Sequence, residues 1–86
     1  MNFTVLWKPA AEQQLAALWT AAADRGAVQR AADRIDALLK RDPQAQGESR
    51  FPPMRILIER PLTVNFTVQE QDRTVLISDI WRWSRS

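Results

Sequence analysis

Hydrophobic and polar positions alternate from the first residues. Phe3, Val5 and Trp7 alternate with Thr4, Leu6 and Lys8, which predicts a short strand over residues 3–8 with one face more apolar. Pro9 ends it and suits the first turn of a helix, where its missing N–H is not needed. From there Leu15, Leu18, Trp19 and Ala22 recur at helical spacing, with Glu12, Gln13, Gln14 and Thr20 in between. Trp19 lies within that stripe and is expected to fill the core. Gly26 reads as the stop, because glycine accepts the left-handed conformation just past a helix end. A second helix is predicted over 27–41. Its stripe is Val28, Ala31, Ala32, Ile35, Leu38 and Leu39, and Asp36 precedes Lys40 in the favourable i,i+4 order. The short connection predicts an antiparallel helical pair.

Residues 42–53 hold Pro43, Pro52, Pro53 and Gly47 among polar side chains, and read as the one real loop. The period then changes from 3.6 to 2. Met54–Glu59, Leu62–Gln69 and Arg73–Trp83 are predicted strands, broken at Pro61 and at Gln71-Asp72. The middle one alternates most cleanly: Leu62, Val64, Phe66 and Val68 against Thr63, Asn65, Thr67 and Gln69. One face meets the helices and the other meets water or a partner. The order β-α-α-β-β-β predicts an α+β fold, with a helical hairpin packed on one face of a small, largely antiparallel sheet. Residues 1–86 are expected to form a single domain.

The last strand has two readings. Val75, Ile77, Asp79 and Trp81 share one face, and Leu76, Ser78, Ile80 and Arg82 the other. An even-length loop before it buries Val75, Ile77 and Asp79 beside Phe66; an odd-length loop buries Leu76, Ser78 and Ile80. Burying an unpartnered carboxylate is costly, whereas a serine can bond the backbone, so the odd loop is expected. That choice leaves Val75, Ile77, Trp81 and Trp83 on an open face and marks it as a partner-binding surface.

Composition narrows the chemistry. The 86 residues include no Cys, His or Tyr, which excludes the usual zinc sites, thiolate nucleophiles and Ser-His-Asp triads. Two glycines leave no Gly-rich phosphate loop. No metal or cofactor is expected. No run approaches the roughly 20 apolar residues of a spanning helix. The start lacks a signal-peptide pattern, so no membrane association and a cytoplasmic location are expected. The net charge of +2 is spread evenly, without the basic stripe of a nucleic-acid binder.

In order and spacing the chain resembles the RelE/ParE superfamily of toxins from type II toxin–antitoxin systems. The resemblance covers nearly the whole chain. It rests on Trp7-Lys8-Pro9-Ala10-Ala11 closing the first strand and on Leu38-Leu39 to Pro43 ending the second helix. It rests also on Arg55-Ile56-Leu57, Pro61-Leu62-Thr63-Val64, Phe66-Thr67-Val68 and Asp72-Arg73-Thr74-Val75. It implies a toxin that inhibits growth and is neutralised by a cognate antitoxin. RelE-like members cut mRNA on the ribosome, the substrate 2′-OH attacking its own phosphate; ParE-like members poison DNA gyrase.

By the same resemblance, Arg55 and Arg82 would be the phosphate-stabilising, catalytic positions of a nuclease. The middle-strand arginine of such nucleases is replaced by Thr63, and their C-terminal Tyr or His has no counterpart. Trp81 and Trp83 stand there instead; they stack but transfer no proton. Glu59 and Asp79 are the conceivable general bases, but exposed carboxylates near pKa 4 are poor bases at neutral pH. Target binding of the ParE kind is therefore expected over efficient RNA cleavage. The alternatives are a ribosome-dependent mRNA endonuclease, or a non-toxic descendant acting as a small dimerising domain. The expected partner surface is Val75, Ile77, Trp81 and Trp83, covered by an antitoxin or by a second copy in a homodimer.

Overall fold

A computed structural model of the chain describes residues 2–84. Strand β1 (Thr4–Trp7) leads into α1 (Pro9–Ala21), with Pro9 in its first turn as the sequence predicts. Helix α2 (Arg25–Arg41) begins earlier than expected. Gly26 lies inside its first turn rather than stopping α1, and the start is set by Asp24, whose carboxylate accepts from the Ala27 N–H at 3.0 Å. Four strands follow: β2 (Glu48–Phe51), β3 (Met54–Glu59), β4 (Leu62–Gln69) and β5 (Thr74–Arg82).

The sheet order is β1-β5-β4-β3-β2. β1 runs parallel to β5, and every other pairing is antiparallel. Both helices lie on one face. There Ala11, Val28, Ala31, Ile35 and Leu39 meet Leu57, Leu62, Val64 and Phe66 in one buried cluster. This is the α+β architecture expected, with one more strand than predicted.

That strand, β2, and a single 3₁₀ turn at Pro43–Ala45 occupy the segment expected to be a loop. All four residues of β2 are exposed, so no alternation marks it in the sequence. Pairing with β3 and the local backbone create it. Gly47 takes φ +66°, and a Cβ there would stand 2.2 Å from the Ile56 carbonyl oxygen, so only glycine lets the chain enter β2 here.

The parity of β5 is resolved in a way neither sequence reading contained. Four residues separate the paired Gln69 and Thr74, so the loop is even and Phe66 pairs with Ile77. Val75 and Ile77 are fully buried beneath the helices, which corrects their placement on the open face. The register then shifts: Asn65 pairs with Asp79 and Val64 with Ile80, leaving Ser78 as the extra residue of a β-bulge. One added residue flips the alternation. Ile80 turns into the core as expected and Asp79 stays off it, while Leu76, expected to be buried, faces the open side half-covered.

Magnitudes favour this solution. Burying Val75, Ile77 and Ile80 together contributes about 1.5–3 kcal/mol each, against about 1 kcal/mol for a disturbed ladder bond. The bulge also falls where β1 ends. β1 pairs with Thr74–Ile77 alone, and beyond it the Ile80 N–H donates to Gln14 Oε1 of α1 at 2.9 Å. Gln14 reads in the sequence as an ordinary polar helix position; it serves instead as a substitute strand partner.

Trp19 also departs from expectation. It is 41% exposed, beside a groove between the helices lined by Leu15, Ala16, Val28 and Ala32. Arg25 folds back over its ring, 4.7 Å from the centroid, and donates from Nε to the Trp19 carbonyl. The three-residue link 22–24 turns α2 away before the ring can be enclosed.

The bulge yields a deletion test. Removing Ser78 restores regular alternation with Ile77 and Ile80 inward and Asp79 outward, so that variant should fold. Removing Leu76 turns Val75 outward and should lower stability by about 2–4 kcal/mol. Thermal melts by circular dichroism on the two deletions check it; equal loss in both would refute the parity argument.

Candidate functional site

The face of the sheet away from the helices carries no covering element among the described residues. Strand register arranges its side chains in three rows across the strands. The first runs through Leu6 on β1, Leu76 on β5, Thr67 on β4, Met54 on β3 and Phe51 on β2. The middle row is Asp79, Asn65, Ile56 and Glu48, and the last is Trp81, Thr63 and Ile58. Two apolar rows thus flank a centre that is mostly polar. Leu6 and Ile58 are each 49% exposed, Trp81 43% and Phe51 79%, a broad apolar presentation for so small a chain.

The centre is unusual in its hydrogen bonding. Asn65 is only 9% exposed, and its Oδ1 is buried without a partner. Its neighbour across β5, Asp79, is half-exposed and has no ionic or hydrogen-bonding partner among the described residues. Glu48, at the far end of the row, lies 3.8 Å from Arg50.

Of the residues singled out from the sequence, Trp81 alone stands plainly on this face and exposed. Trp83 follows β5, donates its N–H to the Pro61 carbonyl at 2.9 Å, and is capped by the Arg60 guanidinium 4.1 Å from the ring centroid. That stacking is worth about 0.5–1 kcal/mol at an exposed site and holds the ring against the β3–β4 turn. Val75 and Ile77, already placed in the core, contribute nothing to the surface.

The arginines are held apart from this face and from each other. Arg55 pairs with Phe66 and Arg82 with Leu62, so both lie on the helix side of the sheet. Strand geometry separates their backbones by about 16 Å. Arg55 donates from Nε to the Gln46 carbonyl at 3.0 Å and from Nη2 to the Gly47 carbonyl at 3.2 Å, tying down the entry to β2. Arg82 rims a cleft of about 250 Å³ beneath the helix connection, lined by Leu18, Ala22, Val28 and Leu62. Glu59 is ion-paired to Arg34 at 2.7 Å, and Arg34 also donates to the Arg60 carbonyl. Thr63 is buried near the start of β4. Among the described residues no cluster of acidic groups is arranged to hold a metal ion, and no helix is long and apolar enough to cross a membrane.

Sequence reasoning missed Leu6, Met54, Phe51, Ile58 and Asn65 as members of one surface. Period-2 alternation assigns each to a side of its own strand, but only the sheet order places them in rows.

A two-helix layer on a mixed five-stranded sheet is a fold shared with toxin–antitoxin proteins of solved structure. The chain matches the structure of the toxin–antitoxin complex RelBE2 from Mycobacterium tuberculosis at a TM-score of 0.80 and 15% identity, over 96% of this chain and 100% of that one. It matches the chromosomal ParDE toxin–antitoxin system from P. aeruginosa at 0.75 and 24% identity, over 96% and 98%. The archaeal RelE–RelB complex from Pyrococcus horikoshii OT3 matches at 0.67 and 15% identity over the whole of both chains. No protein-family model and no curated protein sequence matches the chain. RelE-type and ParE-type structures fit comparably well, so the fold does not choose between them.

The bonds of Arg55 generate a direct test. Arg55→Met, which keeps much of the stem and loses the donors, should lower stability by about 2 kcal/mol. Hydrogen exchange should accelerate chiefly across residues 46–51. Unchanged protection there would show that the guanidinium does not hold β2.

Proposed function

We propose that the chain is the toxin of a type II toxin–antitoxin pair, neutralised by a cognate antitoxin, and that it acts by holding a target protein rather than by cutting RNA. The RelE/ParE fold and the toxin–antitoxin complexes among its structural neighbours support the first part. One observation carries the second. The two arginines that a nuclease reading needs lie on the helix side of the sheet, about 16 Å apart by strand spacing. One of them already donates to two backbone carbonyls.

The open face supplies what phosphoryl chemistry does not use. Its centre presents the Asp79 carboxylate, whose negative charge opposes that of a scissile phosphate. The chain has no histidine or cysteine to offer as a proton carrier. Apolar rows around a polar centre instead match the make-up of a protein-binding surface.

Inducible expression in a bacterium, with and without the adjacent reading frame, tests the proposal. Growth arrest relieved by the neighbour, with no new mRNA 5′ ends and with a change in plasmid supercoiling or another protein-target readout, is expected. Ribosome-dependent mRNA cleavage that disappears in a folded Arg82→Ala variant would overturn it and restore the nuclease.

A further inference from the structure

We propose that the cleft beneath the helix connection binds a free amino acid with an apolar side chain, its carboxylate on Arg82 and its ammonium group on Asp24. Such binding goes beyond the toxin reading and does not rest on it.

The local sequence opens the cleft. Ala22 and Asp24 are both extended, so the link between them holds the end of α1 away from the start of α2. Leu18, Ala22, Ala27 and Val28 face the gap from the helices, and Leu62 closes it from β4. Alanine at positions 22 and 27 is too small to fill it, and about 250 Å³ stays open toward one end of the molecule. An apolar cavity of roughly 150 Å³ holds benzene. The present one therefore admits a side chain of leucine or phenylalanine size, and lies below the roughly 300 Å³ at which pockets for drug-sized molecules begin.

Two charged residues stand on its rim. Arg82 is the last residue of β5 and pairs with Leu62, which places it on the helix side of the sheet. Arg34, Arg55 and Arg60 are engaged by a carboxylate, by carbonyls and by a ring. Arg82 makes no hydrogen bond or ion pair among the described residues. Asp24 uses Oδ1 to cap α2, and its Oδ2 takes no hydrogen bond among the described residues.

Charge selects the ligand. The guanidinium fork matches the two oxygens of a carboxylate. Asp24 opposes a phosphate, or an acid that brings no positive charge, and Arg82 opposes an amine that brings no negative one. A zwitterion answers both groups. A compact space of this volume is about 8 Å across. That width suits one ammonium-to-carboxylate span of about 3 Å with a charge-assisted hydrogen bond of about 2.8 Å at each end.

The experiment titrates the purified full chain with L-leucine and follows backbone amide resonances. Saturable shifts confined to residues around 22–28, 61–62 and 82 are expected. Glycine, which lacks the apolar body, N-acetyl-leucine, which lacks the ammonium, and leucinamide, which lacks the carboxylate, should each bind about tenfold more weakly or worse. Arg82→Gln and Asp24→Asn should weaken leucine to the same degree; asparagine still caps α2, so the second change keeps the helix start. Ala27→Leu should fill the cleft and abolish binding without loss of helix, while Leu6→Ala on the other face of the sheet should change nothing. No saturable shift, or glycine binding as well as leucine, would overturn the proposal. So would N-acetyl-leucine binding as tightly as leucine, which would mark the cleft as a site for an apolar acid or the last residue of a polypeptide. Tighter binding of inorganic phosphate that is lost in Arg82→Gln would overturn it as well.

Discussion

The structure depends on how β5 satisfies two environments at once. Its partner β4 is buried on both sides, and the helices require a continuous apolar face along the whole strand. Strict alternation through Val75, Ile77 and Asp79 would drive a carboxylate into that layer. The bulge at Ser78 breaks the alternation after Ile77, so Ile80 joins the core and Asp79 leaves it. Which β5 side chains face the helices and which face outward follows from that single inserted residue.

The bulge also links the two sides of the molecule. On the helix side it coincides with the end of β1, where Gln14 of α1 takes over as acceptor for the strand edge. On the open side it sets Asp79 beside Asn65, in the middle of a surface otherwise bordered by apolar side chains. The same local irregularity that closes the core therefore gives the exposed face its polar centre. Bulges commonly re-aim a side chain next to functional surfaces, and here the side chain re-aimed is Asp79, in the middle row of the face.

The arginines and the acidic side chains divide between the two sides of the sheet. Arg55, Arg82 and the Arg34–Glu59 pair all serve or border the helix layer, where they bind carbonyls, rim a cleft or pair with each other. The opposite face keeps its apolar rows and Asp79 between them. That division arises from register, since each of these arginines occupies an ordinary strand or helix position in the chain.

Much was legible without the fold. Period-2 alternation located β1, β3, β4 and β5, the 3.6 period located both helices, and the absence of Cys, His and Tyr removed whole classes of chemistry, because these signals are local or compositional. β2 was not legible, because a fully exposed strand has no apolar period and exists through its pairing with β3 and the positive φ of Gly47. The exposure of Trp19 is hidden in the sequence, because helical spacing records which side of a helix a residue takes, not how far apart two helices stand. The side taken by Val75 and Ile77 cannot be read back from Asp79, because alternation carries parity only until an irregularity, and a bulge leaves no mark in residue type beyond a serine. The sequence by itself determined the elements and the chemistry available to them. The tertiary structure decided which faces those elements share, because register and bulges are settled by packing between segments distant in the chain.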